Sequence, residues 1–372
     1  MELFHAANQW ATRPDDERFD SLEDMHAATK AYADIAVEQT VPWNDLRTAA
    51  DGDDVVVQGR GAHVRLTHFS FGQLASRVSA PASYLRTLPA TLAAQNLNFG
   101  LKHKGDATDA QLMYHSNGSF LLRAATSTRY TRIWNHEVLE RMIPFAESRG
   151  LIPAQKTFEW GNRDRPVSYI GRDGRLTSLD PDADKALYAS DHDMFAFLMS
   201  ADRTVTDPVG QTLRRGIIIQ NSEVGAASLK FMGFLFRDVC ANHIIWGAEQ
   251  VAEVSLRHVG DVHKRWGRAM LNVRKYLDGS GRVQEDELAQ MRVEIAGTKE
   301  QVLDKLFGIR SLGLSRKALE RSYDAVVPAE DGDPRTVWGI AQGITRESQN
   351  QPYAEDRVKM DRAAGKVLKL AF

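Results

Sequence analysis

The sequence has a single cysteine, Cys240, among its 372 residues. One thiol excludes a disulfide framework and a cysteine zinc cluster. Long apolar runs are missing as well: Phe231–Phe236 is far shorter than the roughly 20 residues that a membrane-spanning helix needs. The first ten residues carry Glu2, His5 and Asn8, which is not the pattern of a secretory signal. We therefore expect a cytoplasmic protein that has no membrane partner.

Motifs that mark common cofactor sites are also missing. The chain has no G-x-x-x-x-G-K-[ST] phosphate loop, no G-x-G-x-x-G after a strand, no H-E-x-x-H and no G-x-S-x-G. His258 and His263 are five residues apart, not the four that place two metal ligands on one helix face. Cys240 lies between two apolar residues, which favours a buried, unreactive thiol over a nucleophile. We expect no cofactor and no ATP chemistry.

Charge is nearly balanced in total and uneven along the chain. The sequence has 47 Lys and Arg against 49 Asp and Glu, and 43% of its residues are hydrophobic, which is typical of a folded globular protein. Residues 1–60 carry a net charge of −8, whereas residues 101–175 and 201–275 each carry +4. A basic middle is compatible with a local surface for an anionic ligand, although random unevenness of a solvated surface is the alternative.

Strand signals concentrate in the middle of the chain. Gln111–His115 and Phe120–Ala125 flank an Asn-Gly pair, which favours a tight hairpin because it accepts positive φ at both central positions. Asp193–Ser200, Arg215–Gln220 and Leu229–Arg237 have the composition of three further strands. Together they predict a central, mostly antiparallel sheet.

Helix signals dominate both ends of the chain. Ser70 and Gln73 fit a capping box, and Gly247–Leu277 and Glu285–Phe307 are long amphipathic segments. We predict an α+β fold in which a central, mostly antiparallel sheet has helical blocks at both ends. The predicted divisions are an acidic N-terminal segment (1–60), an α+β core domain (61–246) and a helical C-terminal region (247–372).

The first candidate site follows the predicted hairpin. Arg129 and Arg132 flank Tyr130, a combination of cations and a ring that single-stranded nucleic acid uses. Strand alternation would put Arg123 on the same face as Ala125, next to this group. The structural alternative is that Tyr130 packs internally and the arginines pair with glutamates of the next helix.

The second candidate is a polar turn between two apolar strands. Asn221 and Glu223 must find partners there, since buried polar groups are costly without them. The structural interpretation is a tight turn in which Glu223 binds backbone N–H groups or an arginine such as Arg237. The functional alternative is a Mg²⁺ site formed by Asp191, Asp193 and Glu223, although the spacing does not demand a metal.

The third candidate is a basic helix. Lys264, Arg268 and Lys275 recur at intervals of four and seven residues, so they share one face, and Arg265 lies beside them. Such a face could follow a phosphate backbone. A solvated helix face without a ligand is the ordinary alternative.

Several short motifs resemble those of phage- and plasmid-encoded proteins that carry a domain of unknown function, the 932 family. The motifs are Phe71-Gly-Gln-Leu-Ala75, Pro81-Ala-Ser-Tyr84, Leu122-Arg-Ala124, Ser127-Thr-Arg-Tyr130, Asn221-Ser-Glu-Val-Gly225, Phe236-Arg-Asp-Val-Cys240-Ala-Asn242, Thr336-Val-Trp-Gly339, Gly343-Ile-Thr345 and Arg362-Ala-Ala-Gly365. The likeness extends from about residue 65 to about residue 365. It implies an accessory protein of mobile-element DNA metabolism.

Our leading hypothesis is a non-enzymatic, homo-oligomeric protein that binds nucleic acid, with single-stranded DNA favoured, and acts in recombination or replication without ATP. The residues assigned to this role are Arg123, Arg129, Tyr130, Arg132, Lys264, Arg265 and Arg268. One alternative is a metal-dependent nuclease or phosphotransfer enzyme built on the three carboxylates. Another is a virion or host-interaction protein with no nucleic-acid role.

Overall fold

The computed structural model describes fifteen parts of the chain: residues 17–59, 62–104, 108–116, 120–153, 168–170, 176–178, 187–206, 210, 212–237, 242–244, 254–278, 293–295, 297–348, 350–351 and 354–370. Cys240 lies outside these residues. The helices are α1 (Leu22–Asp34), α2 (His68–Arg77), α3 (Ala82–Leu85), α4 (Ala90–His103), α5 (Asn135–Glu147), α6 (Val262–Asp278), α7 (Lys299–Gly308), α8 (Arg316–Asp324), α9 (Pro328–Asp331), α10 (Val337–Ser348) and α11 (Ala354–Val367).

The strands fall into two larger sheets and one hairpin. They are β1 (Arg18–Phe19), β2 (Ala36–Pro42), β3 (Arg47–Asp51), β4 (Asp54–Gly59), β5 (Ala62–Leu66), β6 (Asp109–Ser116), β7 (Phe120–Ser127), β8 (Leu151–Pro153), β9 (Ser168–Ile170), β10 (Leu176–Ser178), β11 (Leu187–Ala189), β12 (Met194–Thr206), β13 (Thr212–Asn221), β14 (Leu229–Arg237), β15 (Asn242–Ile244) and β16 (Val254–Leu256). The fold is α+β, as predicted.

The first sheet has six strands in the order β2-β6-β7-β5-β4-β3. Only the β5–β7 pair is parallel, and the predicted hairpin is confirmed as β6–β7. One face is covered by α2, α3 and α4, which bury Leu74, Leu85 and Leu97 against it. The N-terminal part of the chain is therefore a sheet with one helical layer rather than a helical block. Residue 60 falls between β4 and β5, so residues 36–59 share a sheet with residues 62–127.

The second sheet has eight strands, with β1-β11-β12-β13-β14-β15 in order, β8 on β12 and β16 on β14. The three predicted strands are confirmed as β12, β13 and β14, which pair antiparallel over most of their lengths. Helices cover both faces of this sheet. Ile217 packs beneath α1, α5 and α6, whereas Ile218 faces the side on which Val358 of α11 packs. Burial on both faces explains why these strands are apolar throughout rather than at alternate positions.

The C-terminal helices form a core of their own beside the second sheet. Trp338 and Ile344 of α10 pack with Leu319 of α8 and Ala364 of α11, and Leu213 of β13 joins them. Among the residues that the structure describes, no helix combines the length and apolarity needed to cross a membrane.

Two local expectations are wrong. Helix α2 begins one turn earlier than the predicted capping box: Thr67 is its N-cap, and its hydroxyl accepts from the Ser70 N–H at 3.1 Å. The segment predicted as one helix from 247 to 277 contains a strand, because residues 254–256 pair with β14 before α6 begins. The Thr67 cap is a local bond between residues three apart, whereas the strand depends on a tertiary pairing that local spacing does not record.

Candidate functional site

A β-bulge in β7 sets the geometry of the first candidate group. Leu122 and Ala124 pair with consecutive residues of β6, so Arg123 between them is an extra residue. Leu122 and Ala125 consequently pack together beneath the helices of the first sheet, while Arg123 points away from them. The predicted shared face of Arg123 and Ala125 is wrong, because the bulge interrupts the alternation on which that prediction depends.

Arg123 lies at the junction of the two sheets and is only 1% exposed. Its Nε donates to the backbone oxygen of Asp191 at 2.9 Å, and its Nη1 donates to His115 Nε2 at 2.7 Å and to Glu223 Oε2 at 3.3 Å. The guanidinium also lies 5.7 Å from the centre of the Tyr32 ring. Arg123 was expected to bind a phosphate; its burial and these partners remove it from any such surface.

Glu223 is the acidic centre of the same junction. Its Oε1 accepts from the backbone N–H of Asn135 at 2.8 Å, at the first turn of α5. A carboxylate at a helix N-terminus satisfies an otherwise unpaired donor and interacts favourably with the helix dipole. The arginine that binds the Glu223 carboxylate is Arg123. Arg237 pairs with Leu213, at the far end of β14 from the turn that holds Glu223.

Two amides fasten the polar turn to its surroundings. Asn221 donates through Nδ2 to the backbone oxygen of Ile133 at 2.9 Å and to Asn135 Oδ1 at 2.8 Å. Gln73 of α2 bridges the sheets: its Oε1 accepts from the Ala125 N–H at 2.8 Å, and its Nε2 donates to the Val224 oxygen at 2.7 Å. Motifs that are distant in sequence thus meet at one junction, where they hold the sheets together.

Tyr130 is packed rather than available for stacking. Its hydroxyl donates to the backbone oxygen of Ser222 at 2.9 Å, and its ring stacks on His258 with centroids 4.9 Å apart and planes 8° apart. Burial raises the pKa of the Tyr130 hydroxyl, so it stays protonated as this donor. His258 covers one face of the ring, the Arg132 guanidinium lies 5.6 Å from the ring centre, and the side chain is half-buried at the junction, which contradicts the expected role as a platform for a base.

Arg132 is held in the same junction. Its side chain is almost fully buried, and its Nε donates to Glu38 Oε1 at 2.5 Å. Its Nη1 donates to the backbone oxygen of Glu223, and the guanidinium lies 5.5 Å from the centre of the Trp134 ring. Arg132 therefore pairs with an acid of β2, and it contributes to the junction rather than to a phosphate-binding surface as expected.

Three junction residues were missed by sequence reasoning: His115, Gln73 and Asn135. Gln73 lies within the Phe71–Ala75 motif, and that motif is the sequence feature that could have identified it as a junction residue. Burial first, and then the neighbouring Arg123 charge, lower the pKa of His115 to about 3. Neutral His115 can accept from the arginine, which a protonated imidazole cannot do.

The remaining predicted cations lie outside the junction, around the start of α6. Arg129 is exposed, and Lys264 and Arg268 are exposed on α6. A backbone hydrogen bond of 2.8 Å from the Thr131 N–H to the oxygen of His258 joins the two chain segments that carry Arg129 and α6. Arg265 is half-buried and donates to the backbone oxygen of Arg257 at 2.9 Å, so it braces the segment before the helix.

The carboxylates proposed for a metal do not converge. Asp191 binds His192 Nδ1 at 2.6 Å, and Asp193 accepts from the Ser190 hydroxyl at 2.6 Å. Burial would raise the pKa of Asp191, but the His192 hydrogen bond and the charges of His192 and Arg123 outweigh it and lower that pKa. Glu223 is occupied by Arg123 and the α5 N-terminus. Within the described ranges, no three His, Cys, Asp or Glu side chains are grouped to hold a metal ion.

Comparison with known proteins gives one match. No curated protein and no solved structure matches the chain. A family model described as a domain of unknown function, DUF932, matches residues 186–364. The match takes in β12, β13 and β14 and the C-terminal helices, whereas the six-stranded sheet and the Phe71–Ala75 motif precede it. Residues 186–364 of the chain therefore match the DUF932 family model, a domain of unknown function.

Proposed function

We propose that this protein binds single-stranded nucleic acid, in the cytoplasm and without ATP, through exposed cations around α6. We name this region the α6 surface and define it by Arg129, Arg257, Lys264, Arg268 and Lys275. All five side chains are exposed. The observation that carries the proposal is the one-sided basic face of α6 itself.

Helix α6 separates an apolar face from a basic one. Ala269 and Val273 are buried against the second sheet, whereas Lys264, Arg268 and Lys275 face outward. With a rise of about 1.5 Å per residue, these three cations span about 16 Å of helix. An extended stripe of this kind suits a polymer of phosphates better than a single small anion.

Nearby acids do little to neutralise this face. Lys264 lies 3.3 Å from Asp261, but its side chain is 85% exposed, and exposed pairs of this kind are weak. Arg268 and Lys275 have no salt bridge to any described residue. The positive charge therefore remains available to an anionic ligand. Because Arg123, Tyr130 and Arg132 belong to the junction, the α6 surface has cations but no exposed aromatic ring of its own.

The test is a titration of a fluorescent oligothymidylate with the full chain at several salt concentrations. The double variant Arg268→Ala/Lys275→Ala should weaken binding of all sequences alike. It should also make the salt dependence shallower, by about one unit of log–log slope for each phosphate that the variant no longer neutralises. Sedimentation of the same samples measures whether the chain is the homo-oligomer expected from the sequence.

A matched control uses cations of the C-terminal helical region. Arg310 and Lys317 are exposed, so Arg310→Ala/Lys317→Ala removes the same charge elsewhere. The proposal requires this control to retain its affinity after correction for net charge. Equal weakening by both double variants, or binding that is insensitive to salt, would contradict a specific α6 surface.

A further inference from the structure

A long part of the first sheet and its helices contains no acidic residue. Residues 55–105 include six Lys or Arg and no Asp or Glu, although the chain as a whole is slightly acidic. This stretch spans most of β4, all of β5 and the helices α2, α3 and α4. It lies before the DUF932 match and apart from α6. Of its cations, Arg65 pairs with Asp54 just outside the stretch, whereas Lys102 is exposed on α4 and open to an anionic occupant.

The same helices carry unusually exposed aromatic rings. Among described residues, three large aromatic side chains are prominently exposed: Tyr84 (58%), Phe99 (68%) and Phe307 (51%). Tyr84 lies on α3 and Phe99 on α4, within the acid-free stretch, and Phe307 lies on α7. An exposed ring on a helix that carries Lys102 and no acid has the chemistry that binds single-stranded nucleic acid by stacking.

Phe99 is held in place as a platform. The inner face of α4 is anchored by buried Ala94, Leu97 and Leu101, and Asn98 accepts from the Thr48 N–H at 2.8 Å. On the outer face, the His103 ring stacks on Phe99 with centroids 4.3 Å apart. A side chain supported in this way has one ring face covered, so a base can stack on the other with little loss of side-chain entropy.

The residues one turn from Phe99 are polar, and the exposed apolar Leu92 lies two turns before it. Gln95 and Asn96 are exposed one turn before it, and Lys102 is exposed one turn after it. A protein-docking patch has an apolar core from which lysine is depleted, and the turns on either side of Phe99 lack that pattern. An amide for a base edge, a ring for a base plane and a lysine for a phosphate match a nucleotide better.

From this arrangement we infer that the outer face of α3 and α4 is a second binding surface for single-stranded nucleic acid, in which Phe99 and Tyr84 stack bases. We name it the α4 surface and define it by Tyr84, Gln95, Phe99 and Lys102. It adds a site for the bases to the proposed function, in addition to the site for phosphates on α6. It rests on that function only for the class of ligand. Lys102 supplies the phosphate contact.

The first experiment separates stacking from simple apolar docking. Phe99→Leu keeps an apolar side chain and removes the ring, whereas Phe99→Trp keeps a ring. In the oligothymidylate titration, Phe99→Leu should weaken binding by roughly 5- to 150-fold, and Phe99→Trp should bind at least as tightly as the wild type. Phe307→Leu, which alters an exposed ring outside the surface, should leave the affinity unchanged. Equal affinity of wild type and Phe99→Leu would overturn the inference.

The second experiment locates the strand directly. An oligonucleotide containing 5-bromouracil is irradiated with the full chain, and the cross-linked peptides are identified by mass spectrometry. Cross-links at Tyr84 or Phe99 support the α4 surface even if the α6 variants bind normally, in which case the α6 proposal alone is contradicted. Cross-links confined to α6 leave the proposed function standing and overturn the α4 surface.

A lipid surface is the remaining anionic occupant to test. Phosphatidylserine vesicles are sedimented with the wild type and with Phe99→Leu. If the wild type binds vesicles, Phe99→Leu does not, and the oligothymidylate affinity is the same for both, the surface binds lipid and the inference is wrong. Far-ultraviolet circular dichroism of each variant shows that the fold is retained, as expected for a side chain on the solvent side of α4.

Discussion

Arg123 Nη1 donates to Glu223 Oε2 at 3.3 Å across the junction of the two sheets, and the two side chains are 1% and 2% exposed. The arginine comes from the bulge in β7 and the glutamate from the turn after β13. Each charge has further partners, Asp191 O and His115 for the arginine and the Asn135 N–H for the glutamate. Residues with the chemistry of an anion site or a metal site are therefore used here to join two halves of the fold.

Removal of Arg123 should destabilise the protein strongly. Arg123→Met leaves the Glu223 carboxylate buried without its cation, which costs about 3–5 kcal/mol in comparable buried pairs. The double variant Arg123→Met/Glu223→Gln should lose less than the sum of the two single variants, since no unpaired charge remains. Urea denaturation followed by circular dichroism measures each free energy of unfolding.

The control for this cycle is an exposed pair on the same sheet. Arg65 lies 3.2 Å from Asp54, and both side chains are about half exposed. Arg65→Met should therefore cost less than about 1 kcal/mol. Strictly additive effects of Arg123→Met and Glu223→Gln would show that the two side chains are not coupled as the structure indicates.

Tyr130 should matter for stability and not for affinity. Tyr130→Phe removes the hydrogen bond to Ser222 O and should cost about 1 kcal/mol of unfolding free energy. Tyr130→Leu also removes the ring, yet the folded variant should bind the oligothymidylate as the wild type does, because that ring is half-buried between its partners at the junction. Weaker binding by folded Tyr130→Leu, with Phe99→Leu unaffected, would return base stacking to Tyr130.

The free energy of unfolding should fall in mild acid. Burial, with Arg123, lowers the pKa of His115 to about 3, and burial, with Arg132, lowers that of His258 to about 4, both from 6.5. Between about pH 4 and 6.5 the unfolded chain binds protons that the folded chain does not, so stability rises with pH. The slope is at most about 1.4 kcal/mol per pH unit for each histidine, and the contribution is complete above 6.5.

Urea titrations at several pH values across that window measure the slope. His115→Gln keeps an acceptor for Arg123 and does not titrate, so it should lower the slope of stability against pH. An identical pH profile for wild type and His115→Gln would mean that His115 takes up its proton equally in both states.

Two glycines should respond in opposite directions to alanine. A Cβ at Gly343 in α10 would overlap the backbone oxygen of Ser322 in α8, so Gly343→Ala should cost about 1–3 kcal/mol through overpacking. A Cβ at Gly267 in α6 has no neighbouring atom within 4 Å. Because glycine is a poor helix former, Gly267→Ala should stabilise the protein by about 0.5–1 kcal/mol. Thermal unfolding of both variants provides the measurement, and a destabilised Gly267→Ala would contradict the open position of that residue.

Strong local patterns were sufficient to predict several elements. The β6–β7 hairpin follows from two apolar runs around an Asn-Gly pair, and the exposed face of α6 follows from the spacing of Lys264, Arg268 and Lys275. The first sheet as a unit was not predicted, because β2 pairs with β6, which is remote in sequence, and β5 pairs with β7 across the helices α2, α3 and α4. The prediction from strand alternation is wrong at Arg123, because a bulge adds one residue to β7. The extra residue reverses which side chains after it face the helices.

By itself, the sequence determined the α+β class, the antiparallel pairing of β12, β13 and β14, and the basic face of α6, because each depends on neighbouring residues and their period. Only the tertiary structure decided whether Arg123, Tyr130 and Arg132 are buried or exposed. In sequence, these residues resemble a phosphate-binding group. Their partners Glu223, His258 and Glu38 come from distant parts of the chain, and no local pattern records such contacts. Burial at the junction converted these residues from candidate ligand contacts into supports of the fold.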